Sequence, residues 1–584
     1  ERNASLREIP VYFSGEADGV FNRGDRIIFY GQGPDSLHYD SQKKIFYLEK
    51  HLYSDVHYYF LTFGGQEGKR ISNHPEESGA ATPVTTYDDY FHSEADKSNI
   101  LKSGRDWFGV DFDANTEATI SWQMNNVVGG SEVRLISRLM AEAYENASFT
   151  LALNGTTMGQ LPINAIPQTT YGIKGRTRMD TLRTTINVGA ENFDLKITYN
   201  RSGGSYSIGR LDFITATLKR KLGFTGSPLI FQSTEAENGL NEFLIESTAL
   251  STVWDITNPY GAYGQAVRFE SGAVKFKTTT NSLKRYLVFN PTQQFEKPIT
   301  AEKIQNQDLQ SIDQPDLLII THPDFKSEAL RLSNHRQVHD ALTSVVVTPE
   351  QIYNEYASGM QDVTAIRDFI RAVYLRGNQK LKYVLLFGRG SYDYKNRISE
   401  NTNFVPTYES RESLLPLETY ASDDFFGFLE AQEGNWSEQP AEFHSLDVSV
   451  GRIPCTTSAE AEIMVDKLIR YDTDPQALGS WRKEIAFVAD DGDGNTHQLQ
   501  AEQLAQKIET EHPEYHLNRV YLDLFQQEEK SFGQISRQGS EALLRTFEQG
   551  SVIINYTGHG SEQLWMAERI LDGDRINSLS NRNR

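Results

Sequence analysis

The feature that most constrains this chain is a change of periodicity at Gln314-Pro315. Before it, apolar residues come in short aromatic or β-branched runs closed by glycine or asparagine, such as Ile27-Ile28-Phe29-Tyr30 and Phe149-Thr150-Leu151-Ala152-Leu153-Asn154-Gly155. Residues 193–199 alternate strictly, the period of a half-buried strand, and residues 201–205 then read as a turn. Helical spacing is almost absent before residue 300, which suits β-sandwich modules. Beyond Pro315, strand patterns at 316–321, 345–347 and 383–388 alternate with helical spacing over 325–342, 349–356 and 364–375. The alternation continues with strands at 447–453, 484–489 and 552–555 and helices such as 458–471 and 498–509. Strands separated by helices imply a largely parallel, doubly wound sheet, because parallel neighbours need a crossover between them. At 584 residues the chain is too long for one core. The expected division is three β-rich modules, 1–110, 111–225 and 226–314, followed by two α/β subdomains, 315–480 and 481–584.

Charge and composition exclude several functions. The formal net charge is −22 with no basic stretch to interrupt it, so a general phosphate-backbone binder is excluded and no nucleic-acid partner is expected. No run approaches eighteen consecutive apolar residues, the length of a membrane-spanning helix. The sequence opens at Glu1 without a signal-like segment, which reads as a mature form or a fragment. A single cysteine rules out an intramolecular disulfide framework.

The candidate chemistry gathers near the C-terminus. Ser551-Val552-Ile553-Ile554-Asn555-Tyr556-Thr557-Gly558-His559-Gly560-Ser561 reads as a strand that empties into a glycine-flanked histidine. Bare backbone on both sides would let a substrate approach closely. A histidine at the C-terminal end of a strand in an α/β sheet also lies where ligands usually bind. The same pattern fits a histidine that is merely hydrogen-bonded in a loop.

Another strand, 484–489, runs into Asp490-Asp491-Gly492-Asp493-Gly494-Asn495-Thr496-His497. Counted from Asp491, oxygen ligands fall at the EF-hand positions and Glu502 closes the count, but Thr496 stands where that loop needs glycine. Clustered carboxylates need a cation, a histidine or an arginine nearby. Asp490, Asp493 and Asn495 are therefore candidate ligands for a structural calcium ion. A carboxylate here could instead orient a catalytic histidine by accepting its ring N–H. Gly388-Arg389-Gly390-Ser391 lacks the third glycine of a dinucleotide loop and the lysine of a P-loop, and reads as a structural turn. Cys455 precedes a helix opened by Thr457-x-x-Glu460, a setting that lowers a thiol pKa, yet its apolar flanks favour a small buried side chain.

Asn555-Tyr556-Thr557-Gly558-His559-Gly560-Ser561-Glu562 resembles the catalytic-histidine segment of the gingipain family of cysteine peptidases, which have a caspase-like fold. The likeness extends from about Asp316 to the end, through Val450-Gly451-Arg452-Ile453-Pro454 and the Asp490-Asp491-Gly492 loop. In the first half, residues 19–31, Ser103-Gly104-Arg105-Asp106-Trp107-Phe108-Gly109 and Trp254-Asp255-Ile256-Thr257 resemble one branch of that family, the C-terminal signal peptidases, or sortases, of the type IX secretion system. The resemblance implies a fold of N-terminal β-sandwich-like modules followed by a caspase-like α/β peptidase domain. It implies removal of the C-terminal targeting domain from secreted cargo and transfer of that cargo to anionic lipopolysaccharide. The implied place is the bacterial outer surface, with outer-membrane secretion components such as the PorV anchor as partners.

Carried over by residue, the resemblance makes His559 the general acid and base and the Gly560 N–H an oxyanion donor. The histidine-orienting acid falls on Asp491, with Asp490 next, and no cofactor is needed for catalysis. The acid that sets arginine preference in some gingipains aligns with His497, so arginine preference is not expected. The nucleophilic cysteine should lie roughly thirty residues beyond the histidine. The sequence ends at Arg584, 25 residues past His559, so the peptidase domain is expected to be truncated and inactive alone. Two other readings stay open: an ordinary secreted gingipain-like protease, and a non-catalytic surface-binding protein on a peptidase fold.

Overall fold

A computed structural model describes residues 6–15, 18–187, 191–201, 206–300, 302–376, 379–439, 444–531, 533–561 and 563–581. The turn expected at 201–205 lies, from residue 202 onward, outside them. The chain divides into two compact units, Glu1–Ser458 and Ala459–Arg584.

In the first unit, ten of the described strands form one sheet. Arg176–Thr185, Glu132–Ala143, Ser207–Lys221, Thr86–Glu94, Leu229–Gln232 and Arg285–Phe289 lie side by side along it. Two four-stranded sheets pack on this one. The first contains Ala147–Leu153 and Asn192–Asn200, whose alternating burial sends Phe149, Leu151, Phe193, Leu195 and Ile197 inward against Leu135, Leu139 and Ile214 of the large sheet. The second contains Gly239–Glu246 and Ala273–Thr280, and sets Phe243 and Phe276 against Phe231 and Tyr286. Each such side chain removed from water stabilises the fold by about 1.5–3 kcal/mol.

The expected boundaries at 110 and 225 do not separate sheets. Val110–Phe112 pairs with Ser207–Lys221, and Thr86–Glu94 runs between Ser207–Lys221 and Leu229–Gln232. Backbone pairing is indifferent to distance along the chain, so one sheet recruits strands from all three of the modules expected before residue 314.

The parallel sheet of the first unit contains β1 (Leu317–Thr321), β2 (Ser344–Val347), β3 (Tyr383–Phe387) and β4 (Ser449–Ile453) in the order β2-β1-β3-β4. Leu317 pairs with Ser344 on one side and Tyr383 on the other, and Tyr383 with Ser449. The crossovers are α1 (Lys326–Asp340), α2 (Pro349–Tyr356) and α3 (Val363–Arg376). A capping box between Thr348 and Gln351, with Pro349 in the first turn, starts α2. The turn at Gly388-Arg389-Gly390-Ser391 is structural: Arg452 donates to the Gly388 and Val405 carbonyls and pairs with Asp423.

In the second unit α4 (Ser458–Thr473), β5 (Glu484–Ala489), α5 (Thr496–Glu511), β6 (His516–Tyr521), α6 (Arg537–Gln549) and β7 (Ile553–Thr557) follow one another. The sheet is parallel, in the order β6-β5-β7. The unit therefore begins near residue 459 rather than at the expected 481, because α4, with Ala461 and Val465 buried, groups with it. Register pairs Ala489 with Thr557, so the loops that leave β5 and β7 emerge side by side at one edge of the sheet.

Candidate active site

The strand ends decide the geometry. Asp490 is the first residue beyond β5, and its N–H donates to the Thr557 carbonyl (3.1 Å), which continues the β5–β7 ladder one step further. That places the Asp490 side chain, 5% exposed, under the loop that leaves β7. Its carboxylate accepts from the Gly492 N–H (3.3 Å) through Oδ1 and from the His559 N–H (3.1 Å) through Oδ2. Gly558 is required at this crossing, since a Cβ there would lie 2.5 Å from the Asp490 Cβ.

The backbone of His559 is held from its other side as well. Its carbonyl accepts from the Met566 N–H (3.0 Å) and from the Tyr556 hydroxyl. The Tyr556 ring stacks on Trp565 with centroids 4.3 Å apart. Burial, and then the Asp490 charge, push the Tyr556 hydroxyl pKa up, which keeps it a donor. The His559 side chain, by contrast, is 68% exposed. A fixed backbone presenting an accessible imidazole is the arrangement a general acid–base needs.

The ring meets Asp493. His559 Nε2 lies 2.8 Å from Asp493 Oδ2, and His497 Nε2 lies 3.3 Å from the same oxygen. The two imidazoles meet edge to face, with centroids 5.0 Å apart. Contact with His559 first, and with His497 less, holds the Asp493 carboxyl below its ordinary range. Asp493, Gly494 and Asn495 all have positive φ (54°, 63° and 67°), a tight left-handed turn that turns the loop back before α5 begins. A carboxylate at Nε2 is placed to accept a proton from that nitrogen, the arrangement that would leave Nδ1 free for proton transfer.

Two expected placements differ here. Asp491 does not meet the histidine ring; its Oδ2 accepts from Gln527 Nε2 (2.5 Å), and the carboxylate at the ring is Asp493. The left-handed turn accounts for this, since it carries Asp493 back toward His559. Two of the expected ligands, Asp490 and Asp493, fall in different groups: Asp493 with His497 and His559, and Asp490 with Asp491 and Glu568. His497, the residue aligned with the arginine-binding acid, is a neighbour of His559 itself.

Gly560 faces Trp565 in an antiparallel bridge whose hydrogen bonds run through the flanking residues, from the Ser561 N–H to the Leu564 carbonyl and from the Met566 N–H to the His559 carbonyl. The Gly560 N–H takes no part in that pair. Cys455 is 4% exposed and lies in the first unit, where its backbone accepts from the Arg389 N–H. Sequence reasoning missed Glu568 and Gln527. Neither lies in a patterned element; Gln527 follows β6 and Glu568 follows β7, and the pairing of both strands with β5 brings them to the loop.

The C-terminal part of the chain, residues 311–584, matches the model of peptidase family C25. No curated protein matches the chain. Among solved structures, dimeric latent PorU from Porphyromonas gingivalis is similar over 82% of this chain, with a TM-score of 0.68 and 23% identity. The match covers 45% of that PorU, so this chain spans less than half the length of its relative. The Arg-specific cysteine proteinase gingipain R is similar over 47% of this chain and 54% of its own, at 17% identity and a TM-score of 0.33. Among the described residues, no helix is long and apolar enough to cross a membrane.

Proposed function

We propose that residues 311–584, which match the model of peptidase family C25, form a gingipain-like peptidase domain, and that the protein is a cysteine endopeptidase of the C-terminal signal peptidase type, acting on type IX secretion cargo. The observation that carries this is His559: its backbone is clamped at the end of a parallel strand, its ring is exposed, and a carboxylate sits on Nε2. In this reading Nδ1 takes the proton of a cysteine thiol. The thiolate attacks the scissile carbonyl, and the Gly560 N–H stabilises the oxyanion, a contribution of about 3 kcal/mol. His559 then returns the proton to the leaving amine, which departs with the C-terminal targeting domain and leaves a thioester. An amine of anionic lipopolysaccharide, or water, attacks the thioester, gives up its proton to His559 and releases the cargo. Cys455 is the only cysteine in the sequence and is buried in packing. The scheme requires a cysteine nucleophile other than Cys455.

The place of action would be the outer surface, with PorV-like outer-membrane components as anchors. Specificity would not favour arginine, because His497, the residue aligned with the arginine-binding acid, offers no carboxylate to pair with a guanidinium. Cleavage would follow small or polar residues in an exposed linker. The test is His559→Ala in the complete protein: precursor that keeps its targeting domain should accumulate while the melting temperature holds. Processing at the normal rate would refute the assignment. Matched peptides differing only in the residue before the scissile bond test specificity. A tenfold preference for arginine, about 1.4 kcal/mol at the transition state, would move the protein to the ordinary gingipain class.

A further inference from the structure

Beneath the histidine loop lie three carboxylates in one group. Asp490, Asp491 and Glu568 each bring an oxygen to within 4.8 Å of the others. The two Asp490 oxygens already accept backbone N–H groups, and Asp491 accepts from Gln527. Glu568, 6% exposed, is different: its Oε2 is buried and has no hydrogen-bond partner among the described residues. The nearest imidazoles of the loop, His497 and His559, face Asp493 instead. A buried carboxylate oxygen left unpartnered beside two others carries both desolvation and like-charge repulsion, and a bound cation removes both at once.

We propose that Asp490, Asp491 and Glu568 bind a calcium ion, which fixes the Asp490 carboxylate against the backbone of His559. An all-oxygen set suits a hard cation rather than zinc. Calcium accepts about six to eight oxygen ligands in flexible geometry, whereas magnesium demands near-ideal octahedral geometry and keeps several of its waters, so three converging carboxylates suit calcium better. The remaining coordination positions fall to backbone carbonyls or water. The site is distinct from Asp493, whose contacts are both imidazoles. It stands on the carboxylates alone, whether or not His559 is catalytic.

The experiment is calcium titration by calorimetry into protein stripped with a chelator, paired with thermal unfolding in calcium and in magnesium. Wild type should bind calcium and melt at a higher temperature with it, with magnesium giving a weaker response. Glu568→Gln keeps the shape and removes the charge; it should bind calcium at least about tenfold more weakly and lose the thermal shift. Asp493→Asn should bind as wild type does. No heat and no thermal shift in wild type would overturn the proposal. So would a Glu568→Gln variant that binds as tightly as wild type, or a wild type stabilised by acid but not by calcium. If Glu568→Gln does not fold, Asp491→Asn carries the same comparison, because its side chain is less buried.

Discussion

Gly558→Ala is the sharpest probe of how the histidine loop is held. An added methyl would stand 2.5 Å from the Asp490 Cβ and 2.6 Å from the Tyr556 hydroxyl oxygen, where carbon–carbon contacts settle near 3.5–4.0 Å. The obstacle is space and not backbone conformation, for Gly558 lies outside the left-handed region. The Asp490 Cβ cannot swing aside, because its own backbone N–H is bonded to Thr557. Tyr556 is stacked on Trp565 and donates to the His559 carbonyl. Overpacking costs about 1–3 kcal/mol. Displacing Asp490 adds the loss of a charged hydrogen bond to the His559 N–H, about 1.5–3 kcal/mol. Together they come to about 2.5–6 kcal/mol. In a unit of this size each kcal/mol lowers the melting temperature by about 3–5 °C, so scanning calorimetry should show the transition of the second unit fall by about 8 °C or more. Peptidase activity of the complete protein should fall with it, since the imidazole moves with its backbone. The matched control is Gly573→Ala, whose methyl would meet nothing within 4 Å. A Gly558→Ala variant melting within about 1 °C of wild type, or no worse than the control, would refute the clamp.

Three further outcomes follow from the same geometry. In the complete protein Asp493→Asn should lower the rate by about 10- to 1,000-fold, less than His559→Ala, because the carboxylate only orients and stabilises the imidazolium; Asp491→Asn should be milder still at saturating calcium, and the reverse order would return the orienting role to Asp491. Cys455→Ala should lower stability by about 1 kcal/mol through lost packing and leave peptidase activity near wild type, whereas loss of activity at unchanged melting temperature would make Cys455 the nucleophile. Burial, weakly opposed by the Gly104 N–H and Arg105, raises the Glu409 carboxyl from its ordinary 4.5 to about 7, and the side chain is 1% exposed. The folded state therefore binds this proton more tightly than the unfolded one, so the penalty is absent below about pH 4.5, grows as pH rises and is complete above about pH 7, on the order of 3 kcal/mol. Glu409→Gln should flatten the fall in melting temperature between pH 5 and pH 8, and an unchanged slope would sink the assignment.

Part of the site was legible because its signals are local. The strand into Gly558-His559-Gly560, and the strand into the acidic loop at Asp490, are each patterns of adjacent residues. The alternation at 193–199 likewise foretells which side chains face inward. The N-terminal modules were harder: strand propensity shows that residues 86–94, 207–221 and 229–232 are strands, but not that they share a sheet. Among the acids near His559, the family resemblance favoured Asp491, while the fold sets Asp493 at the ring and Asp490 on the backbone N–H, and groups Asp490 with Asp491 and Glu568.

The sequence alone therefore determined the class of each region and the identity of the exposed histidine, since periodicity and glycine placement act over a few residues. The tertiary structure alone decided which carboxylate touches which nitrogen. That choice depends on β5 and β7 pairing in register so that Ala489 meets Thr557, and on a three-residue left-handed turn that sends Asp493 back over the strand end. Strand register is set by packing across the whole sheet, and a shift of one residue would send every side chain of the strand to the opposite face.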